Sequence, residues 1–177
     1  MVQLRHRRLS DGALFQLAVE LRGLTKRHGA CLIVNDRIDI ALAANADGVH
    51  LPEAGMDATA ARRLLGDEAL IGRSVHNLKE LGAALHEEVD YVHFGPVFET
   101  PSKAAYGKPQ GLKKLRLATE KSGDLPVYAV GGINAERVGE VIEAGALGIA
   151  AIAAVMSAAD PMGAMAKLVA ALEKATV

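Results

Sequence analysis

Gly131 and Gly132 close the apolar run Pro126–Val130, just before a helical segment that starts near Ala135. Without side chains they let backbone N–H groups approach an anion, and the partial positive charge of a helix start favours phosphate there. A tight turn that needs glycine only for its backbone would use the same two residues. The next apolar run ends in Ala151, Ile152 and Ala153, mostly small residues that leave room for the same group. Thr100, Ser102 and Lys103 stand in a long, glycine-bearing loop between Phe94 and Gly111. Two hydroxyls and an ammonium so close together form either a second oxyanion clamp or an ordinary solvated stretch.

Arg73-Ser74-Val75-His76 ends another run, and strand alternation sets Ser74 and His76 on one face. A histidine at a strand end can move a proton; a surface or helix-capping role is the other option. Gln3, Arg5 and Arg7 share a face by the same alternation, and converging guanidinium groups suit phosphate or carboxylate. Asn35 and Asp36 could hold a substrate amine or Mg²⁺, while Asp36 is equally credible as the cap of the helix that follows. His50 and His93 fall inside apolar runs and read as packed side chains.

Elements must place these residues together. Apolar runs at Val2–Arg5, Ala30–Asn35, Gly48–Leu51, Ala69–Val75, Tyr91–Gly95, Pro126–Gly131 and Gly148–Ala153 predict strands. Helical periodicity fills the intervals at Gly12–His28, Asp39–Ala44, Asp57–Leu65, Leu78–His86, Gly111–Ser122, Ala135–Ala144 and Pro161–Ala175. Alternating strand and helix predicts an α/β fold with a parallel sheet. No G-x-G-x-x-G follows the first strand, so a (β/α)8 TIM barrel is preferred to a doubly wound sheet. Seven strand–helix repeats are one short of eight, and the chain starts directly on a strand, so the first βα unit is expected to be missing. The polar residues above all fall at C-terminal strand ends, where barrels do chemistry.

Residues 1–177 suit a single domain. With three Phe, three Tyr and no Trp, the core is built from small aliphatics, which suits close helix–sheet packing. A net charge of −1, with acids and bases interspersed, gives no reason to expect nucleic acid or a membrane as partner. The single cysteine, Cys31, cannot form a disulfide within the chain, and a reducing, cytoplasmic setting is expected.

Taken in order, Val2-Gln3-Leu4-Arg5, Val34-Asn35-Asp36-Arg37, Ala46-Asp47-Gly48-Val49-His50-Leu51, Phe94-Gly95-Pro96-Val97-Phe98 with Thr100, Ser102 and Lys103, and Val130-Gly131-Gly132-Ile133-Asn134 resemble the thiamine phosphate synthase and TenI superfamily. The resemblance implies a (β/α)8 barrel with a phosphate site at the twin glycines. It allows two activities. A synthase joins a pyrimidine methyl diphosphate to a thiazole phosphate with Mg²⁺; the resemblance would then take Gln3, Arg5, Asn35 and Ser74 to the pyrimidine diphosphate, Asp36 to the metal, and Thr100, Ser102 and Lys103 to diphosphate oxygens. A thiazole tautomerase of the TenI branch needs no metal and aromatises a carboxythiazole phosphate, with His76 as proton-transfer residue.

Two departures weigh against the synthase. Gly55 stands where its second metal carboxylate is expected, with Glu53 and Asp57 out of register, and Arg7 stands where its pattern has Lys. Ala153 also replaces a serine near the last strand end, leaving backbone amides there. The expectation is therefore a TenI-like tautomerase. His76 and Ser74 would be catalytic, Gly131, Gly132 and the Ala151–Ala153 backbone would hold phosphate with Lys103, and Arg5 and Arg7 would meet a carboxylate. The alternatives are the synthase with Mg²⁺ and a non-catalytic regulatory binder of a phosphorylated ligand. A barrel short of one unit exposes strand edges, which a homo-oligomer would cover unless the remaining strands close among themselves.

Overall fold

The structure, a computed structural model, describes residues 1–100 and 108–176. Seven parallel strands lie in sequential order, β1 to β7, with helices between them. A doubly wound sheet would reverse its strand order at a switch point. This order has no reversal and is that of the (β/α) barrel, one strand short of eight. The described residues fall into two compact units: residues 1–73 with 87–90, and residues 74–86 with 91–177.

In the first unit, β1 (Val2–Leu4), β2 (Leu32–Asn35) and β3 (Gly48–Leu51) pair in parallel and lead to β4 (Leu70–Val75). Their apolar residues are packed by α1 (Asp11–Arg27), α2 (Ile38–Ala43) and α3 (Ala58–Leu65). Ala18, Ala41, Ala58 and Ala61 are fully buried, so short side chains bring these helices close to Leu32, Val34, Val49 and Ile71. Ser10 caps α1 by accepting from the Ala13 N–H, and Asp57 caps α3 by accepting from the Ala60 N–H.

A repeated brace ties helix to strand. Asp47 accepts from the Leu32 N–H and from Arg22, both at 2.7 Å. Asp90 accepts from the Ile71 N–H at 2.6 Å and from Arg62 at 2.8 Å. Arg62 also donates to the Ala69 carbonyl at 2.5 Å, so its guanidinium bridges a helix end and the start of β4. The backbone bond carries most of the brace's value, because it satisfies a strand N–H that has left water. Asp90→Ala is expected to cost about 1.5–3 kcal/mol, the range for hydrogen bonds to charged groups. Asp90→Asn should cost less, since its amide oxygen still accepts from Ile71; urea midpoints of both variants check this order.

The second unit continues through α4 (Leu78–Ala84), β5 (Tyr91–Phe94), α5 (Gly111–Ser122), β6 (Val127–Val130), a 3₁₀ turn (Ala135–Arg137), α6 (Val138–Glu143), β7 (Gly148–Ala150), α7 (Ala153–Met156) and α8 (Pro161–Ala175). Strands β5, β6 and β7 pair in parallel, and Val92, Phe94, Val127 and Ala129 of the strands are buried, as are Leu81, Leu115 and Val141 of the helices. The last run ends earlier than its sequence predicts. Ala150 pairs with Val130, and Gly131 then leaves the strand at φ 99°, so the pairing of β7 with β6 ends there and residues from Ala153 coil into a helix. The single cysteine, Cys31, is half-buried. No helix among the described residues is long and apolar enough to cross a membrane.

Candidate functional site

In the first unit the sequence-predicted residues gather at the ends of β1, β2 and β3. Gln3 Nε2 donates to Asn35 Oδ1 at 3.1 Å, joining the two half-buried amides across neighbouring strands. β1 stops at Leu4, so Arg5 and Arg7 lie beyond it and strand alternation does not extend to them; both are exposed. His6 Nδ1 accepts from the Arg8 and Leu9 N–H groups at 3.2 and 3.1 Å and closes that turn.

Asp36 is not a helix cap, because the cap position of α2 is Arg37. Asp36 has a left-handed backbone at φ 66°, its N–H donates to the His50 carbonyl at 3.0 Å, and its side chain is exposed. Asp is one of the few residues that reach this region, and strained positions of this kind gather at functional sites. Neighbouring Asp39 is already engaged. Arg37 bonds to it and to Asp11, and the Arg37 guanidinium holds the Asp39 carboxyl below the usual carboxylate range.

The loop after β3 carries Glu53, Gly55 and Asp57. Glu53 is exposed, and Asp57 is committed to capping α3. A Cβ at Gly55 would stand 2.8 Å from Pro52 Cδ and 3.0 Å from its carbonyl oxygen, so a carboxylate there requires this loop to move. Arg73 fixes that loop. Its guanidinium donates to the Pro52 and Met56 carbonyls at 3.2 and 3.0 Å and to Glu87 at 3.0 Å, which makes it a buried structural residue.

Mg²⁺ prefers near-octahedral oxygen ligands, keeps several waters, and is often bound by one or two carboxylates plus substrate phosphates. Asp36 offers one exposed carboxylate of this kind. Such a carboxylate fits an ion that arrives with a diphosphate and keeps waters among its other ligands.

In the second unit, Ser74 and His76 are half-buried while Arg73 and Val75 are buried, as strand alternation predicts. His76 Nδ1 lies 2.6 Å from the Gly95 carbonyl. A carbonyl only accepts, so Nδ1 carries a hydrogen and donates it to Gly95. Glu80 accepts from the His76 N–H at 2.6 Å, and Asn77 caps α4 by accepting from the Lys79 and Glu80 N–H groups. This Asn-x-x-Glu box holds the end of β4 to the start of α4. Its spacing is legible as Asn77 and Glu80, and the sequence reading passed over it.

Both twin glycines are required by their surroundings. Gly131 and Gly132 have φ values of 99° and 67°. A Cβ on Gly131 would lie 2.6 Å from Pro96 Cβ, and one on Gly132 would lie 2.6 Å from the Glu99 carbonyl oxygen. The Pro96–Glu99 segment is laid along this turn, with the Val97 N–H donating to Val130 and the Phe98 N–H to Gly131 at 2.9 and 3.0 Å. Thr100 is half-buried at the end of that segment. Ser102 and Lys103 lie outside the described residues. Ala151, Ile152 and Ala153 are exposed, and Ala153 is the first residue of α7. Sequence reasoning also passed over Arg137, whose guanidinium donates to the Gly132 carbonyl at 2.6 Å.

The first unit thus presents an exposed carboxylate on a strained turn, and the second an imidazole held at a strand end and a glycine turn. A family model described as thiamine monophosphate synthase matches residues 1–155. A Geobacter sulfurreducens protein, named as a thiamine-phosphate synthase by inference, is 51% identical over 160 residues, which is 90% of this chain and 75% of that protein. The thiamine-phosphate synthase of a Synechocystis species is 42% identical over 174 residues, 98% of this chain but only 50% of that protein. A solved structure of thiamine phosphate pyrophosphorylase from Pyrococcus furiosus superposes with a TM-score of 0.91 at 35% identity, covering 99% of this chain and 83% of that one.

Proposed function

The chain belongs to the thiamine monophosphate synthase family, and from that premise we propose that this enzyme acts as a thiamine-phosphate synthase. The identity of 51% and 42% to two relatives bearing the synthase name carries this reading over the tautomerase that the sequence favours. In it, residues 1–177 form one barrel-like domain that takes two phosphorylated substrates in the cytoplasm. The thiazole nitrogen attacks the pyrimidine methylene carbon; the new C–N bond forms as the C–O bond to diphosphate breaks, and pyrophosphate leaves with the electron pair. Gln3 and Asn35, already bonded to each other, would orient the pyrimidine with Arg5 and Ser74. Gly131, Gly132 and the Ala151–Ala153 backbone would receive the thiazole phosphate, and Thr100, Ser102 and Lys103 the diphosphate. Asp36 would hold Mg²⁺, which when bound neutralises charge on the departing diphosphate.

A second reading, the thiazole tautomerase, is favoured by two observations. Gly55 lacks the second carboxylate and could gain one only if its loop moved off Pro52, and the Gly95 carbonyl holds the His76 ring in place through Nδ1. Arg5 and Arg7 would then meet the substrate carboxylate.

Two parallel assays separate the readings. One follows Mg²⁺-dependent pyrophosphate release from the two synthase substrates, and the other follows metal-free aromatisation of the carboxythiazole phosphate, each in wild type and His76→Asn. Pyrophosphate release is the expected result. Aromatisation lost in His76→Asn, without pyrophosphate release, would overturn the synthase; silence in both assays would leave a phosphate-ligand binder.

A further inference from the structure

We propose that Arg137 is a positioning residue for phosphate at the twin-glycine turn; this rests on the phosphate role given to Gly131 and Gly132 above. Arg137 closes the 3₁₀ turn that follows the glycines, where its N–H donates to Asn134 Oδ1 at 3.2 Å. From there its guanidinium donates to the Gly132 carbonyl at 2.6 Å and lies over the Phe98 ring, 4.5 Å from the centroid. One side chain thus grips both the glycine turn and the Pro96–Glu99 segment laid along it.

The consequence follows from peptide geometry. The Gly132 carbonyl and the Ile133 N–H belong to one planar trans peptide and point in opposite directions. Clamping the carbonyl therefore fixes the direction of that N–H. A cationic donor on the carbonyl also polarises the peptide and makes its N–H a stronger donor to an anion. Stacking on Phe98 holds the guanidinium plane in place, a geometry that a lysine ammonium does not reproduce. Arg137 so acts on phosphate through the backbone, without touching a reacting atom.

The test is calorimetric titration of inorganic phosphate and of the thiazole phosphate into wild type, Arg137→Met, Arg137→Lys and Phe98→Leu, with KM, kcat and melting temperature measured alongside. Losing one charge-assisted bond should weaken thiazole phosphate binding in Arg137→Met about tenfold and raise KM to match. Arg137→Lys and Phe98→Leu should fall between it and wild type. At saturation kcat should stay within about twofold, because no group acting only in the transition state is removed. Wild type that binds, with all three variants equally tight, would overturn the role of Arg137 alone. Wild type that binds neither probe would overturn the phosphate role of the turn itself. A fall in kcat and melting temperature without any change in phosphate affinity would reduce Arg137 to a structural clasp.

Discussion

Gly131→Ala is expected to destabilise the protein by about 2–6 kcal/mol, combining two penalties of about 1–3 kcal/mol each for strained backbone and for overpacking. The first penalty is conformational. At φ 99° an L side chain crowds its own backbone, whatever space surrounds it. The second is steric, because the new methyl would meet Pro96 Cβ at 2.6 Å and Pro96 Cα at 2.7 Å. Those atoms cannot swing aside as a flexible side chain would, since Val97 and Phe98 are bonded to Val130 and Gly131. Gly139, inside α6, is the internal control: no atom lies within 4 Å of a Cβ placed there. Gly139→Ala should stabilise by about 0.5–1 kcal/mol, the helix-interior preference for alanine over glycine. Urea unfolding of both variants checks the contrast. Similar midpoints would refute the close packing of the two loops. Because Gly131→Ala strikes the fold, its lost activity would say little about phosphate, and that role is better tested through Arg137.

The glycine turn also marks how far the sequence is legible. Strand and helix units could be read because each depends on local periodicity, and the start of β3 at Gly48 or the extent of α5 over Gly111–Ser122 needs no distant residue. The twin glycines could be placed but not explained, since their reason lies in Pro96–Glu99, more than thirty residues earlier in the chain. The early end of β7 escaped for the same cause, as it depends on where its partner β6 turns away. Among the candidate site residues, Asp36 was legible as a polar strand end but not as a left-handed residue, because Asp serves helix caps and left-handed turns alike. Asp57 shows the converse. It could stand in for a missing metal carboxylate by residue type, and only its bond to the Ala60 N–H commits it to a helix.

Asp36→Gly should abolish most Mg²⁺-dependent pyrophosphate release, by a factor on the order of 10²–10³, while leaving the fold intact. Stability and activity are separable at this position because different properties of the residue serve each. The backbone at φ 66° asks for a residue that tolerates the left-handed region, which glycine does without cost from a Cβ. The carboxylate is exposed and caps no helix, so its removal leaves no buried group unpaired. Glycine should therefore match aspartate in stability within about 1 kcal/mol, its relief of strain offset by the greater freedom of the unfolded chain. Alanine should be the least stable of the three, by about 1–2 kcal/mol, since its methyl crowds the following carbonyl. Activity should follow a different order, with Asp36→Gly and Asp36→Ala equally poor. Thermal melts and pyrophosphate release on both variants distinguish the two orders. The variants also bear on which enzyme this is. A tautomerase needs no metal, so full aromatisation by a stable Asp36→Gly protein would remove Asp36 from the chemistry and with it the synthase reading. With no carboxylate at Gly55, where one could enter only if the loop moved off Pro52, the proposed metal-assisted reaction rests on Asp36.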